Sequence, residues 1–407
     1  MKLKNNMEKY IFTGFSPNTR AEDARLALKL LFFKPRDTSV TKLEKWFKEY
    51  YGVKEAFATD SGRSALQLAL AATGIGQGDE VLVQAFTCIV VSNAITNLRA
   101  MPVYVDCKQD YLVDPGKVEE KITPKTKAII IQHTFGAGAE VERLVAVARQ
   151  HNLLVIEDCA HALGGTKDGK LLGTFGDLAM FSFGTDKVIS GVRGGMVISN
   201  NEQFLTRLRE LQAKLPKFPI FKEFQHLLHP VFFYWGKKTY HLGIGKVMLY
   251  LGQKLHLTNR IIDPLEKQGR VPGYFPAKLS PALATLALNQ IKHLDSWNKK
   301  RLEIAEFYVE NLKNKKSVQS LGNGEMWLRF PVQVVNPQEL KTKARACHII
   351  LGDWYATPVA PADASAKAAN YLIGSCPEAE KLGQGIVNLP TDPSLTKADL
   401  TRIIDLF

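Results

Sequence analysis

LLVIEDCAHAL, residues 153–163, and LAMFSFGTDK, residues 178–187, decide the fold. Each opens on an unbroken apolar run and closes on polar side chains. The first ends on Glu157, Asp158 and His161, the second on Ser182, Asp186 and Lys187. A short apolar run without alternation is the pattern of a strand covered by helices on both faces. Such strands belong to parallel sheets, and their polar ends open where ligands bind.

The surrounding chain repeats this pattern. Strand signals at Glu55–Thr59, Glu80–Val83, Pro102–Asp106, Ala128–Gln132, Leu153–Glu157, Leu178–Ser182 and Gly195–Ser199 are interleaved with helical ones. The helices are predicted at Ser64–Ala72, Thr87–Leu98 and Val141–His151, after two amphipathic segments at 20–33 and Leu43–Tyr51. Alternation of this kind predicts an α/β fold with a mostly parallel, doubly wound sheet. The pattern changes near residue 205. We therefore expect a large domain over 1–210, a basic aromatic insertion or dimer-contact segment over 211–275, and a smaller C-terminal α/β lobe over 276–407. That lobe opens with one long helix over 280–313 and includes a strand at Trp327–Val335 and a helix at Thr396–Leu406.

A chain of 407 residues buries a large core without staples. Its 45% hydrophobic and 23% charged content excludes fibrous, disordered and coiled-coil classes. It has no apolar run long enough to span a bilayer. The opening MKLKNNMEKY has no apolar signal core, which predicts a cytoplasmic protein. The five cysteines are scattered, which suits reduced thiols and predicts no metal site. The net charge of +13 points to an acidic partner. Residues 211–260 carry eight Lys or Arg against the single acid Glu223, so this window supplies +7.

Four polar features sit at strand ends. Asp60 to Ser64 joins a strand to a helix, and its small residues expose N–H groups to an anion; the same pattern serves as an ordinary N-cap. Asp158 emerges from a buried strand, where a carboxylate can face a cationic ring nitrogen or a metal, or simply cap a helix. Lys187 follows a buried strand, where a desolvated amine becomes nucleophilic; otherwise it is a loop lysine. In Gly191 to Gly195, Arg193 can receive an acidic group, or the glycines only form a turn.

Taken in order, these features resemble fold type I pyridoxal phosphate enzymes, and in particular the DegT/StrS nucleotide-sugar aminotransferase family. The likeness is carried by Ser61 to Leu70, Gly76 to Val81, Asn93 to Ile95, Pro102 to Asp106, Ile122 to Ala128, Ile156 to Leu163, Gly173 to Phe183 and Lys187 to Gly195. It continues in Leu279 to Leu294, Pro377 to Glu380 and Leu389-Pro390. It implies that Lys187 is the Schiff-base lysine, Asp158 the carboxylate on the pyridine nitrogen, and His161 the neighbour of the phenolic oxygen. Ser182 and the backbone at Gly62 and Arg63 would cradle phosphate. Arg63 stands where the family has Thr, so Ser64 or the Arg63 guanidinium is expected to compensate. Cys88 takes the place of the aromatic that covers the ring, and Arg193 replaces a Glu. Lys278 is the nearest candidate for a residue reaching phosphate from a partner subunit.

The resemblance implies a transaminase for a keto-sugar nucleotide, with glutamate as donor, working as a homodimer. A sugar dehydratase of this family would carry His in place of Lys187. A non-catalytic regulatory relative would not need Lys187, Asp158 and Ser182 together. No nucleic-acid-binding motif accompanies the charge, so no nucleic acid is expected. In 211–260, Phe218, Phe221 and Phe224 are predicted along one helical face with Lys217 and Lys222 between them. Two readings stay open for that window: peripheral contact with an anionic membrane, or packing in a dimer interface.

Overall fold

The computed structural model describes residues 9–14, 18–33, 35, 38–313 and 326–407. Seven strands form the central sheet: β1 Glu55–Thr59, β2 Glu80–Gln84, β3 Met101–Val105, β4 Thr126–Gln132, β5 Leu154–Asp158, β6 Leu178–Ser182 and β7 Gly195–Ser199. Their spatial order is β1-β7-β6-β5-β4-β2-β3. All neighbours are parallel except β7, which runs antiparallel to both β6 and β1. Only the loop 183–194 separates β6 from β7, and a parallel return needs a longer crossover. The reversal brings residues 193–195 back to the end of the sheet where β1, β5 and β6 finish. Gly195 pairs there with Ser182 on one side and Thr59 on the other. The centre of the sheet is dry: Ile129, Ile130, Val155 and Ile156 are all buried.

Two elements differ from the sequence reading for tertiary reasons. Thr87–Cys88 is not helix but a short strand parallel to Val359–Ala360, and the helix that follows is Ile89–Thr96. The Phe86 and Thr87 N–H groups both donate to the Pro358 carbonyl, at 2.7 and 2.8 Å, so the C-terminal lobe claims these donors. The long helix expected over 280–313 is two, Pro281–Ile291 and Leu294–Leu312, interrupted at His293 with φ −103° and ψ 0°.

In the C-terminal lobe, Arg329–Gln333 pairs antiparallel with Ile386–Pro390. Helices Pro337–Ala346, Pro377–Gly385 and Lys397–Ile404 accompany this pair. Ile11–Phe12, grouped with the large domain from sequence, runs parallel to Ile349–Ile350 of this lobe. The lobe is not a separate core. One hydrophobic cluster continues from Val81 and Ile129 through Phe86 and Tyr355 to Val332 and Val387. The boundary expected near 210 falls inside one helix, Glu202–Lys214.

Residues 220–254 form a helical hairpin, Ile220–Lys238 and Ile244–Lys254. Its first helix packs on Ala21–Phe32. Pro219 is its N-cap, and the residue before a proline is disfavoured in the helical region. Phe218 therefore lies outside the helix, and the expected Phe218, Phe221, Phe224 face is broken. Phe218 instead meets His226 edge-on at 5.5 Å.

Candidate active site

The carboxyl ends of β1, β5 and β6 and the start of β7 surround a cleft. Asp158 closes β5 and is 5% exposed. One carboxylate oxygen accepts the Ala160 N–H at 2.9 Å. Burial pushes its pKa up, against the pull of that N–H, Lys187 and His133. A carboxylate held this way gains from a cationic partner in the cleft.

His161 sits on the turn after β5. Its Nδ1 accepts the Phe135 N–H at 3.2 Å, and its Nε2 lies 3.0 Å from Lys187 Nζ. With the Nδ1 lone pair occupied, a neutral ring carries its proton on Nε2, the atom that faces the Lys187 nitrogen. Burial, then the charges of Lys187 and Arg329, hold the His161 pKa well below the usual imidazole value. The ring is therefore neutral and faces Lys187.

Lys187 is carried by the β6–β7 loop, whose backbone is clamped. Asn18 donates to the Lys187 and Val188 carbonyls, the second at 2.9 Å. Arg301 also donates to Val188 at 2.9 Å and holds Asn18 Oδ1 at 2.9 Å. Next to the lysine, Asp186 pairs with Arg329 at 2.7 Å, both buried. Burial would raise the Asp186 pKa, but Lys187 and Arg329 together hold it below the ordinary value.

The opposite wall is the N-terminus of helix Gly62–Ala72, capped by Ser61. The first N–H groups of a helix have no intrahelical acceptor and favour an anion. A Cβ on Gly62 would lie 2.6 Å from Ser182 Cβ, so only glycine lets the Ser182 hydroxyl and the helix end share one cradle. Ser61, Gly62, Arg63 and Ser182 all line the cleft.

The expected stand-ins for the missing hydroxyl are committed elsewhere. Ser64 Oγ donates to Asp60 at 2.7 Å and lies 2.9 Å from Ser61 Oγ. The Arg63 guanidinium pairs with buried Glu266 and donates to the Ile261 carbonyl at 2.7 Å. Arg193 borders the cleft, but its guanidinium pairs with fully buried Asp60 at 2.7 Å. It also lies over the rings of Tyr274 and Phe275, at 5.2 and 5.0 Å. Its neighbourhood explains arginine in place of glutamate: Asp60 needs a cation. Cys88 lines the cleft, and burial pushes its thiol up to about 11. Lys278 lies outside this cleft and borders another with Lys217 and Pro281.

Several wall residues escaped the sequence reading. Trp354 and Tyr355 come from the C-terminal lobe, and Asn259, Ile261 and Ile262 from the end of the basic segment. The Tyr355 ring is stacked near His161, with centroids 6.3 Å apart. Asn259 was within reach of sequence analysis, as an amide closing a basic aromatic stretch. Trp354 and Tyr355 had no local signal. His133, Glu157 and Cys159 also cluster behind β5. Both Glu157 oxygens there accept hydrogen bonds, from His133 and from the Gly173, Phe175 and Gly176 N–H groups. That saturation makes the cluster a brace for the loop after Leu172.

A match to the DegT/DnrJ/EryC1/StrS aminotransferase family spans residues 19–407. The chain belongs to this family. Within it, the chain is 44% identical over 176 residues to a GDP-perosamine synthase of Caulobacter vibrioides, a match covering 43% of the chain and 47% of that protein. The chain thus spans about half the length of that relative. Against a GDP-perosamine synthase of Escherichia coli O157:H7, identity is 28% over 367 residues, covering 90% and 88% of the two. S. venezuelae DesV, solved in complex with a ketimine intermediate, superposes with a TM-score of 0.74 at 25% identity, covering 98% and 97% of the two chains. These likenesses bear out the fold and family expected from sequence.

Neutral buried histidines should make this family member acid-sensitive. His226 and His229, behind the cleft, are held down to about 3, first by burial and then by nearby positive charge. With His161 they stay unprotonated in the fold, whereas the unfolded chain takes up protons below about pH 6.5. Depressed histidine values thus cost stability as pH falls, approaching about 1.4 kcal/mol per histidine per pH unit. The urea midpoint should drop below about pH 6.5, and His229→Gln should flatten that drop. An unchanged slope in the variant would remove His229 from the effect.

Proposed function

We propose that the protein is a pyridoxal phosphate-dependent aminotransferase that moves an amino group from an amino acid, glutamate, to a keto-sugar nucleotide. The observation that carries this reading is the Lys187 amine, 3.0 Å from a neutral His161 in the cleft that Asp158 also lines. The residues fit the cofactor: an anion cradle at Gly62 and Ser182, a buried carboxylate short of a cation, and an amine on a clamped loop. When bound, pyridoxal phosphate supplies a cationic ring that accepts electrons from the carbon losing its proton.

The chain's own residues do the rest. Asp158 holds a proton on the ring nitrogen, because its burial penalises an unpaired carboxylate. Lys187 Nζ takes the proton from the donor's α-carbon and returns it across the cleft as a general base and then acid. His161 orients that amine through Nε2–H. The Gly62–Ala72 helix end and Ser182 hold the phosphate. Trp354 and Tyr355 narrow the cleft and exclude water. Basic surroundings favour a diphosphate-bearing substrate. The working unit in this proposal is a cytoplasmic homodimer.

The experiment is direct. The purified protein, loaded with pyridoxal phosphate, is given glutamate and a panel of GDP-, dTDP- and UDP-linked keto sugars, and 2-oxoglutarate is followed. GDP-linked sugars come first, because three relatives are named GDP-perosamine synthase. At most one equivalent of 2-oxoglutarate per site with glutamate alone, and continued release only when a keto sugar is present, is the expected result. A loaded protein that shows no release beyond one equivalent with any member of the panel would sink the proposal.

A further inference from the structure

We propose that the helical hairpin 220–255 is a docking surface for an anionic lipid bilayer, with its outer helix Ile244–Lys254 lying in the headgroup layer. This inference stands apart from the chemistry in the cleft.

The outer helix packs against Ile220–Lys238 and the turn Tyr240–Leu242 that joins them. Glycines set the approach. A Cβ on Gly245 would lie 2.1 Å from the Gly236 carbonyl oxygen, and one on Gly252 would lie 2.8 Å from the Phe232 ring. Gly245, Leu249 and Gly252 thus form the inner, buried face. The outer face is apolar and uncovered: Ile244 is 64% exposed, Val247 58%, Leu251 44% and Leu255 61%. Their spacing of three, four and four residues makes one stripe along the helix.

Charge selects the occupant. Lys246 and Lys254 are exposed on this same helix, and Lys254 lies 5.8 Å from the Tyr250 ring centre. At the neighbouring helix end, Lys238 lies 5.3 Å from the ring of exposed Trp235. Residues 211–260 carry a net +7, and their single acid, Glu223, accepts a hydrogen bond from Ser280. A second copy would bring the same positive surface to the contact and be repelled. An anionic headgroup layer is attracted to the lysines, while its acyl boundary takes the apolar stripe. Aromatic rings paired with lysines suit that interfacial depth. Among the described residues no helix is long and apolar enough to cross a membrane. The outer helix, 11 residues and so about 16 Å long, lies along a surface instead.

The test uses the full chain and sedimentation with vesicles of phosphatidylcholine, with and without phosphatidylglycerol. We expect sedimentation with the anionic vesicles at low salt and release at high salt. Lys246→Gln/Lys254→Gln should weaken partitioning about 30-fold, from about 1 kcal/mol per lysine. Ile244→Ser/Val247→Ser/Leu251→Ser should abolish it with unchanged circular dichroism. No sedimentation at low salt overturns the proposal. So does a triple-serine variant that binds vesicles normally but turns a dimer into a monomer by light scattering, since a second copy then covers the stripe.

Discussion

Lys187→Ala is expected to lower turnover by at least about ten-thousand-fold, the upper range for loss of a positioned proton-transfer group. The substitution removes the only side chain within 3.0 Å of His161 Nε2 among the described hydrogen bonds. It leaves the loop intact, because Asn18 and Arg301 hold the backbone carbonyls of residues 187 and 188 rather than the lysine side chain. The loss is therefore chemical and not a failure to fold. The measurement is the half-reaction with glutamate, followed by the visible absorbance of the yellow protein. The wild type should change colour within one turnover, and the variant should not. Lys187→Arg should not rescue, since a guanidinium does not give up its proton near neutral pH. Turnover within tenfold of wild type in Lys187→Ala would remove the amine from the mechanism.

Asp158→Asn should cost about a hundred- to a thousand-fold in turnover, the range for loss of one electrostatic partner in a buried site. The amide oxygen can still accept the Ala160 N–H, so the local geometry is kept while the charge is lost. Cofactor retention should change little, because in the proposed arrangement the phosphate is held at Gly62 and Ser182 and not at residue 158. The check compares bound cofactor with rate constant in the same preparation. A rate near wild type would show that the charge at Asp158 does not tune the ring. Retained cofactor with a slow rate is the expected combination.

The part of the cleft lined by Lys187, Asp158 and Ser182 was legible in the sequence. Lys187, Asp158 and Ser182 lie at or just past the ends of apolar runs, and the end of a buried strand is where a polar residue stands out. The positions of their partners were not legible in the same way. Ser64 and the Arg63 guanidinium looked like phosphate ligands because of where they stand in the chain. Their side chains are instead taken by Asp60 and by Glu266. The expected aromatic face of 218, 221 and 224 failed because Pro219 starts the helix after Phe218.

Taken alone, the sequence determined what is periodic or local. Seven strands, their order along the chain, and the helix read from Ser64, which in the structure opens two residues earlier at Gly62, follow from apolar patterning and caps, which depend on neighbours a few residues away. The tertiary structure alone decided which charges are free. Arg193 meets Asp60 across 133 residues, Arg63 meets Glu266 across 203, and Tyr355 reaches His161 from another lobe. A buried ion must find a partner wherever the fold brings one, and that choice is made in space, not along the chain.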